Sequence, residues 1–497
     1  MLYERFVHDD AFYEIQIAWN MAHGQGSTWD GIHPTNGYQP LWTWMLAGIS
    51  LAAPDKFLAW RLSLVVCILL RMAAVLLLLR VTRQLAPWYG RAIGVLFWWM
   101  FVPPNQAMGL ESDLFALFAL LTVVYILRLP THEAVTSWSA QALFAGLLVG
   151  VFLARTDGIF LVTTALLAVS LRAPEADRSV GALPSAGRVF RPPWLSILVF
   201  AVVFTVYLLG NLLAFGTAMP ISGRLKTSFP VILWDRIQWS FVLPLKVWVP
   251  LAGTLLVLGR LLWLTEKRKA EGWVAPVGRA LAAGALAMLA QVTFTVLFFD
   301  HEFPFAVAPW HFTLAGAVFA LALPLGIAAI QRHTGHDRLA PVAALLVALA
   351  LLAFVPRTVA RFLPIGPEGP SKEAIEVAEW LRTQSGKSEI AAATDCGAVG
   401  FFSGRTVINL DGLTNNLDYQ RWLTSRPLEA YLRATGVKWL LVYGHAEDGK
   451  FRVRCALDRR TRYYRVVGVG PAFLTRNRTW SAWDLRHASV VEVQAES

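Results

Sequence analysis

The sequence predicts an α-helical polytopic membrane protein over residues 1–356, followed by a C-terminal soluble α/β domain over residues 357–497. Three observations predict it. The 497-residue chain is 56% hydrophobic, holds 15% charged residues and has a mean hydropathy of +0.50, whereas average soluble domains carry about 25% charged residues. The apolar residues are gathered into about ten runs, each roughly a bilayer thickness long. After Pro356 those runs stop and charges become frequent, leaving a tail long enough for one soluble domain.

Residues 1–56 read as a first outer loop. Within it Ala11, Phe12, Ile15, Ile17, Ala18, Met21 and Ala22 mark one face of an amphipathic helix ending at Gly24, with Tyr13, Glu14, Gln16 and Asn20 largely on the polar side. Gln25 to Gly31 is a turn-rich loop. Leu41 to Ala53 is apolar but short, and Trp42 and Trp44 suit an interfacial or re-entrant helix. The spans are expected at 57–80, 91–108, 112–129, 139–154, 157–172, 194–215, 244–264, 280–299, 310–330 and 339–356. The tail opens with a helix over 371–383. Strands are expected at 389–394, 398–402, 406–410 and 438–443, with a helix at 428–434, and two later apolar stretches, 464–469 and 480–485, complete the domain.

The net charge of +11 is placed on alternate loops. Arg80, Arg83 and Arg91 flank one, and Arg172, Arg178, Arg188 and Arg191 another. Lys267, Arg268, Lys269 and Arg279 occupy a third, and Arg332, His333 and Arg338 a fourth. The positive-inside rule makes these loops cytoplasmic. The N-terminus, the turns at 104–111 and 155–157, the loops at 216–243 and 300–309, and the tail then lie on the outer side of the membrane. The basic charge is thereby accounted for without a nucleic-acid partner. An outer N-terminus needs a translocation signal, which Met1-Leu2-Tyr3-Glu4-Arg5 does not supply, so a first helix upstream of the recorded start is expected.

Cys67 falls in a span, while Cys396 and Cys455 fall in the outer domain, where a disulfide and two unrelated small hydrophobes are equally compatible with the sequence. No zinc-type Cys/His spacing and no glycine-rich nucleotide loop occurs.

The polar residues that stand out lie on the expected outer face, where ionisable groups near a membrane are functional candidates. Asp9 and Asp10 could abstract a proton or hold a divalent cation against a phosphate; a solvated turn is the plain alternative. Glu111 and Asp113 sit at a helix start, where capping suffices for Asp113. In Arg155-Thr156-Asp157-Gly158, Asp157 is explained by an ion pair and a helix cap, and Arg155 either joins that pair or meets a phosphate. Arg224 and Lys226 break the positive-inside pattern, which points to an anionic group or to lipid headgroups. His301 and Glu302, with Asp9 and Asp10, are the candidate metal ligands, against a solvated loop. Asp411-Gly412 is ordinary turn chemistry.

The order of these motifs resembles the GT-C superfamily of polyprenyl-phosphate-dependent glycosyltransferases. The residues that carry the likeness are the acidic pair, Asn36-Gly37-Tyr38-Gln39-Pro40-Leu41-Trp42, Gly109-Leu110-Glu111-Ser112, Arg155 to Gly158, Phe215-Gly216 through Pro220 to Lys226, and Asn409 to Leu413. Within that superfamily the pattern is similar to the branch of mycobacterial terminal arabinofuranosyltransferases and their bacterial relatives. The resemblance implies inverting transfer of a sugar from a polyprenyl-phosphate donor to an envelope glycan, lipid or protein acceptor on the outer face. Asp9 or Asp10 would be the base, with Asp9 favoured, and the other would orient the acceptor or bind a possible divalent cation. Lys226, Arg155 and Arg224 would hold the donor phosphate, and Glu111, Asp157, Asn36 and Tyr38 would contact substrate. A polytopic lipid or sugar transporter, a flippase and a non-catalytic envelope assembly protein are the other readings; the lack of repeat symmetry and the clustering of charges at one face weigh against a transporter.

Overall fold

The computed structural model describes residues 7–102, 108–128, 137–172, 189–190, 192–232, 234, 245–266, 274–299, 309–334, 341–342, 345, 348–349, 370–444 and 447–494. The architecture is that of an α-helical polytopic membrane protein with a C-terminal α/β domain.

The chain opens with α1 (Asp9–Ala22). His8, in extended conformation, offers its ring nitrogen to the Asp10 amide as the cap, and two acidic residues in the first turn suit the positive end of the helix dipole. α2 (Pro40–Ala52) begins with a proline at its first position. At 13 residues it is too short to span, and it buries Trp42 and Leu46 while exposing Trp44 and Leu51. The bundle proper comprises α3 (Lys56–Thr82), α4 (Trp88–Phe101), α5 (Ser112–Arg128), α6 (Trp138–Ala154), α7 (Ile159–Ser170) and α8 (Trp194–Phe215). After the short α9 (Ile221–Lys226) come α10 (Leu245–Glu266), α11 (Val274–Phe298) and α12 (Thr313–Thr334). Asp55 caps α3 by accepting from the amides of Phe57 and Leu58 at 2.9 Å each. α3, α8, α11 and the Thr313–Gln331 part of α12 are long and apolar enough to cross a membrane. The expected span at 339–356 falls mostly outside the described residues.

α5 is the centre of the bundle, packed by α3, α6, α11 and α12. Its Leu114, Phe115, Ala116, Ala119, Leu120 and Val123 are all buried, whereas α8 leaves Leu198, Val202, Val206 and Leu213 exposed on its outer side. Helices in lipid associate by close packing of small residues. Gly150 of α6 lies so near α5 that a Cβ there would stand 2.2 Å from the Phe118 ring. Between α3 and α5, buried Arg71 and Asp113 form an ion pair, Nε to Oδ1 at 2.9 Å.

The tail folds as α13 (Pro370–Gln384), β1 (Ile390–Ala393), α14 (Gly397–Ser403), β2 (Thr406–Asn409), α15 (Leu417–Ser425), α16 (Leu428–Ala434) and β3 (Val437–Tyr443). β4 (Lys450–Arg454), β5 (Thr461–Gly468), β6 (Phe473–Leu474), β7 (Trp480–Asp484) and β8 (Ala488–Val493) follow. One sheet has the order β2-β1-β3-β7-β6, parallel across its first three strands and antiparallel beyond; β8-β5-β4 form a second, antiparallel sheet. The expected strand at 398–402 is instead the helix α14. An apolar run this short fits either state, and the choice is made by tertiary contacts: Phe401 packs against Phe12 and Trp60, and the first amides of α14 are capped from α1. Cys396 and Cys455 are free thiols, both buried.

Candidate active site

The site lies where the tail meets one end of the bundle. α1, the 35–39 loop, the turns at 109–111 and 155–157, α9, His311 and the 411–414 loop of the tail converge there. They enclose a polar cavity lined by Asp10, Tyr13, Glu14, Tyr38, Gln39, Glu111, Arg155, Ser222, Lys226, His311 and Thr414, with Gly37, Leu110 and Leu413 between them.

The two aspartates part company. Asp9 turns to the tail, its carboxylate accepting the Gly397 and Ala398 amides at 2.7 Å each. Burial pushes its carboxyl up to about 7, although those two amides favour the charged form. Asp10 faces the cavity. Burial raises its carboxyl too, but neighbouring His8, Lys226 and His311 more than offset this and take it down to about 2.

Arg155 extends into the cavity wall, but both edges of its guanidinium are taken. Nη1 donates to Glu111 at 2.5 Å, and Nε and Nη2 donate to Asp157 at 3.0 Å each. Gln291 of α11 joins Asp157 to the His311 carbonyl, at 2.9 and 2.8 Å. This network ties α5, α6, α7, α11 and the start of α12 together at the cavity floor. Gln39 links it to α1: its side chain accepts the Thr156 amide at 3.3 Å, and its own amide donates to Glu14 at 3.3 Å. Glu14 is buried. Burial, then the nearby Glu111 charge, push its carboxyl well above the ordinary range.

The remaining expected residues fall in three groups. Tyr38 lines the cavity, its hydroxyl accepting from Ser27 at 3.0 Å. Asn36 is buried behind it, donating to Asn211 at 3.3 Å and accepting the Ile221 amide at 2.9 Å, so it sets the position of α9 beneath Lys226. Arg224, on the opposite side of that one-turn helix, is exposed, while Lys226 has no ion pair within 4 Å among the described residues. His301 and Glu302 lie outside the described residues. Among the described residues no three His, Cys, Asp or Glu side chains are grouped as a metal site.

Sequence reasoning missed Glu14, Gln39, Gln291 and Thr414. Glu14 read as the solvated side of an amphipathic helix, and the signal that could have found it is its position four residues after Asp10, on the same helix face.

Comparison with known proteins gives three findings. Residues 367–490 match a family model described as a domain of unknown function (DUF8728). No curated protein matches the chain. Among solved structures, the chain is similar to ArnT from Cupriavidus metallidurans bound to undecaprenyl phosphate, at 11% identity over 87% of this chain and 88% of that one, with a TM-score of 0.48. It is also similar to the arabinofuranosyltransferase AftD from mycobacteria, at 14% identity and a TM-score of 0.39; there it covers 90% of itself but 36% of the longer AftD chain.

Proposed function

We propose that this protein is an inverting membrane glycosyltransferase that moves a sugar from a polyprenyl-phosphate donor to an acceptor hydroxyl on the outer face of a bacterial cytoplasmic membrane. The observation that carries the reading is the pairing of Asp10 with Lys226 in one polar cavity at the end of the bundle, whose other charged groups are already tied into the Arg155 network. A lipid-linked donor reaches such a cavity along the bundle with its prenyl chain in the bilayer.

In this reading Asp10 is the base. It takes the proton of the acceptor hydroxyl as that oxygen attacks the anomeric carbon from the face opposite the phosphate; the bond from that carbon to the phosphate oxygen breaks, and polyprenyl phosphate leaves. Lys226 neutralises the charge that develops on the leaving phosphate. A carboxylate held near 2 is a weak base, but its position comes partly from Lys226 and His311. An anionic phosphate beside those cations cancels part of their field, which raises the basicity of Asp10 once donor is bound. Asp10 is preferred to Asp9, the residue favoured from the sequence, because both Asp9 oxygens are engaged by tail amides. Arg155 is assigned a positioning role on Glu111 and Asp157, and Arg224 a contact with lipid headgroups.

The test uses the full chain in lipid nanodiscs with radiolabelled polyprenyl-phosphate sugars. Asp10→Asn is expected to lower transfer by about 10²–10⁴-fold, while Asp9→Asn retains the larger part of it. Undiminished transfer by Asp10→Asn sinks the assignment. Vectorial movement of lipid with no glycosidic product identifies a transporter.

A further inference from the structure

One wall of the cavity belongs to the C-terminal domain. Leu413 and Thr414 reach it from the loop after β2, and Thr414 is 3% exposed. Its hydroxyl oxygen is buried without a hydrogen-bond partner among the described residues. Two buried hydroxyls of the first loop are used: Thr35 Oγ1 donates to the Asn415 carbonyl at 3.1 Å, and Thr43 Oγ1 to Glu14 at 3.5 Å. A buried hydroxyl left unpaired costs stability, so one carried by a residue that lines a polar cavity is poised for a ligand.

The loop that presents Thr414 is held from every side. Asn409 accepts the Gly412 amide at 2.8 Å, and Asn415 donates to the Asn409 carbonyl at 2.8 Å. The Asp411 carboxylate accepts the amides of Asp395 and Leu413 at 3.0 Å each. Gly412 turns at φ +84°, a conformation that glycine adopts readily. On the bundle side the loop presses on Gly37, where a Cβ would stand 1.9 Å from the Leu413 carbonyl oxygen. Thr414 therefore has a fixed place, which is what recognition by a single hydrogen bond requires.

We infer that Thr414 hydrogen-bonds a hydroxyl of the sugar in the cavity, so that the C-terminal domain supplies a specificity-determining residue of the transfer site. The inference rests on the proposed glycosyl transfer. A hydroxyl both donates and accepts, which matches a sugar hydroxyl, while the phosphate is met by Lys226. The hydroxyl belongs to the donor sugar or to the acceptor, and kinetics separates the two.

The experiment compares Thr414→Val, which removes the hydroxyl at constant volume, with Thr414→Ser, which keeps it. Because the hydroxyl has no partner among the described residues, Thr414→Val should unfold no earlier than the parent protein when substrate is absent. The KM for one substrate should rise about 3- to 10-fold in Thr414→Val with kcat changed less, and stay near the parent value in Thr414→Ser. A higher donor KM assigns the hydroxyl to the donor, a higher acceptor KM to the acceptor. Unchanged KM for both substrates in Thr414→Val overturns the proposal. If the parent protein forms no glycosidic product, the transfer reading fails and saturation-transfer NMR with methyl glycosides of arabinose, mannose and glucose decides instead. Contact with the parent and Thr414→Ser but not Thr414→Val supports the Thr414 site; the same response from all three, or from none, removes it.

Discussion

Two rows of side chains on α1 begin at adjacent aspartates and meet different halves of the protein. Neighbouring helix residues point about 100° apart, while residues four apart share a face. Asp9 and Tyr13 form a seam with the tail, Asp9 through two amides of α14, and Tyr13 by accepting from the Cys396 amide at 2.8 Å and from Asn409 at 3.0 Å. Asp10 and Glu14 face the cavity. Each row contains a buried carboxyl pushed upward and so carries a proton more easily than usual, Asp9 in one and Glu14 in the other. Asp10 alone is drawn downward, because His8, Lys226 and His311 surround it. The lesson is that the same residue type, one position apart, becomes a docking group or a cavity carboxylate according to what the helix turns it toward.

The largest effect expected after Asp10→Asn concerns the floor of the cavity row. Arg155 is the cation that compensates buried Glu111 and half-buried Asp157. Arg155→Met should cost about 3–5 kcal/mol of stability, since it strands two carboxylates, and thermal or denaturant unfolding in nanodiscs measures it. Arg155→Lys keeps the charge but not the three-way fork, and should fall between the two. Stability equal to the parent protein in Arg155→Met would show that the network does not hold this end of the bundle together.

Lys226 sharpens the contrast on the other wall. Lys226→Met should lower kcat/KM for the lipid donor by about 10²-fold and leave the melting temperature near the parent value, because no ion pair among the described residues depends on it. A matching loss with Arg224→Met would show that both basic residues serve the donor, although Arg224 is exposed.

The gathering of Asp10, Glu111, Arg155 and Lys226 was legible in the sequence because each sits at a helix end, and alternation of basic loops put those ends on one side. Arg155 with Asp157 was legible as an ion pair from its two-residue spacing. The division between Asp9 and Asp10 was not, since it depends on amides 388 and 389 positions away in a segment that read as a strand. Thr414 was hidden for a related reason. In the chain it is one more polar residue after an Asp-Gly turn, and only the closure of that loop on Gly37 makes it part of the cavity wall.

The smallest predicted effect tests the seam alone. Asp9 moves from an unfolded value near 3.8 to about 7 in the folded chain. Between those values the folded protein binds more protons than the unfolded one, so this contribution to stability is complete below about 4 and is lost as pH rises through about 7. Asp10, lowered to about 2, contributes in the opposite sense, stabilising above about 4 and losing this only as pH falls toward 2. Asp395 and Asp411, both raised chiefly by burial, add to the slope from Asp9. The melting temperature should therefore rise on acidification from about pH 8 to about pH 5, and Asp9→Asn should flatten part of that rise while Asp10→Asn leaves it in place. An equal slope in parent and Asp9→Asn would mean that the seam is not titrated through Asp9, and the division of labour along α1 would then rest on the cavity row alone.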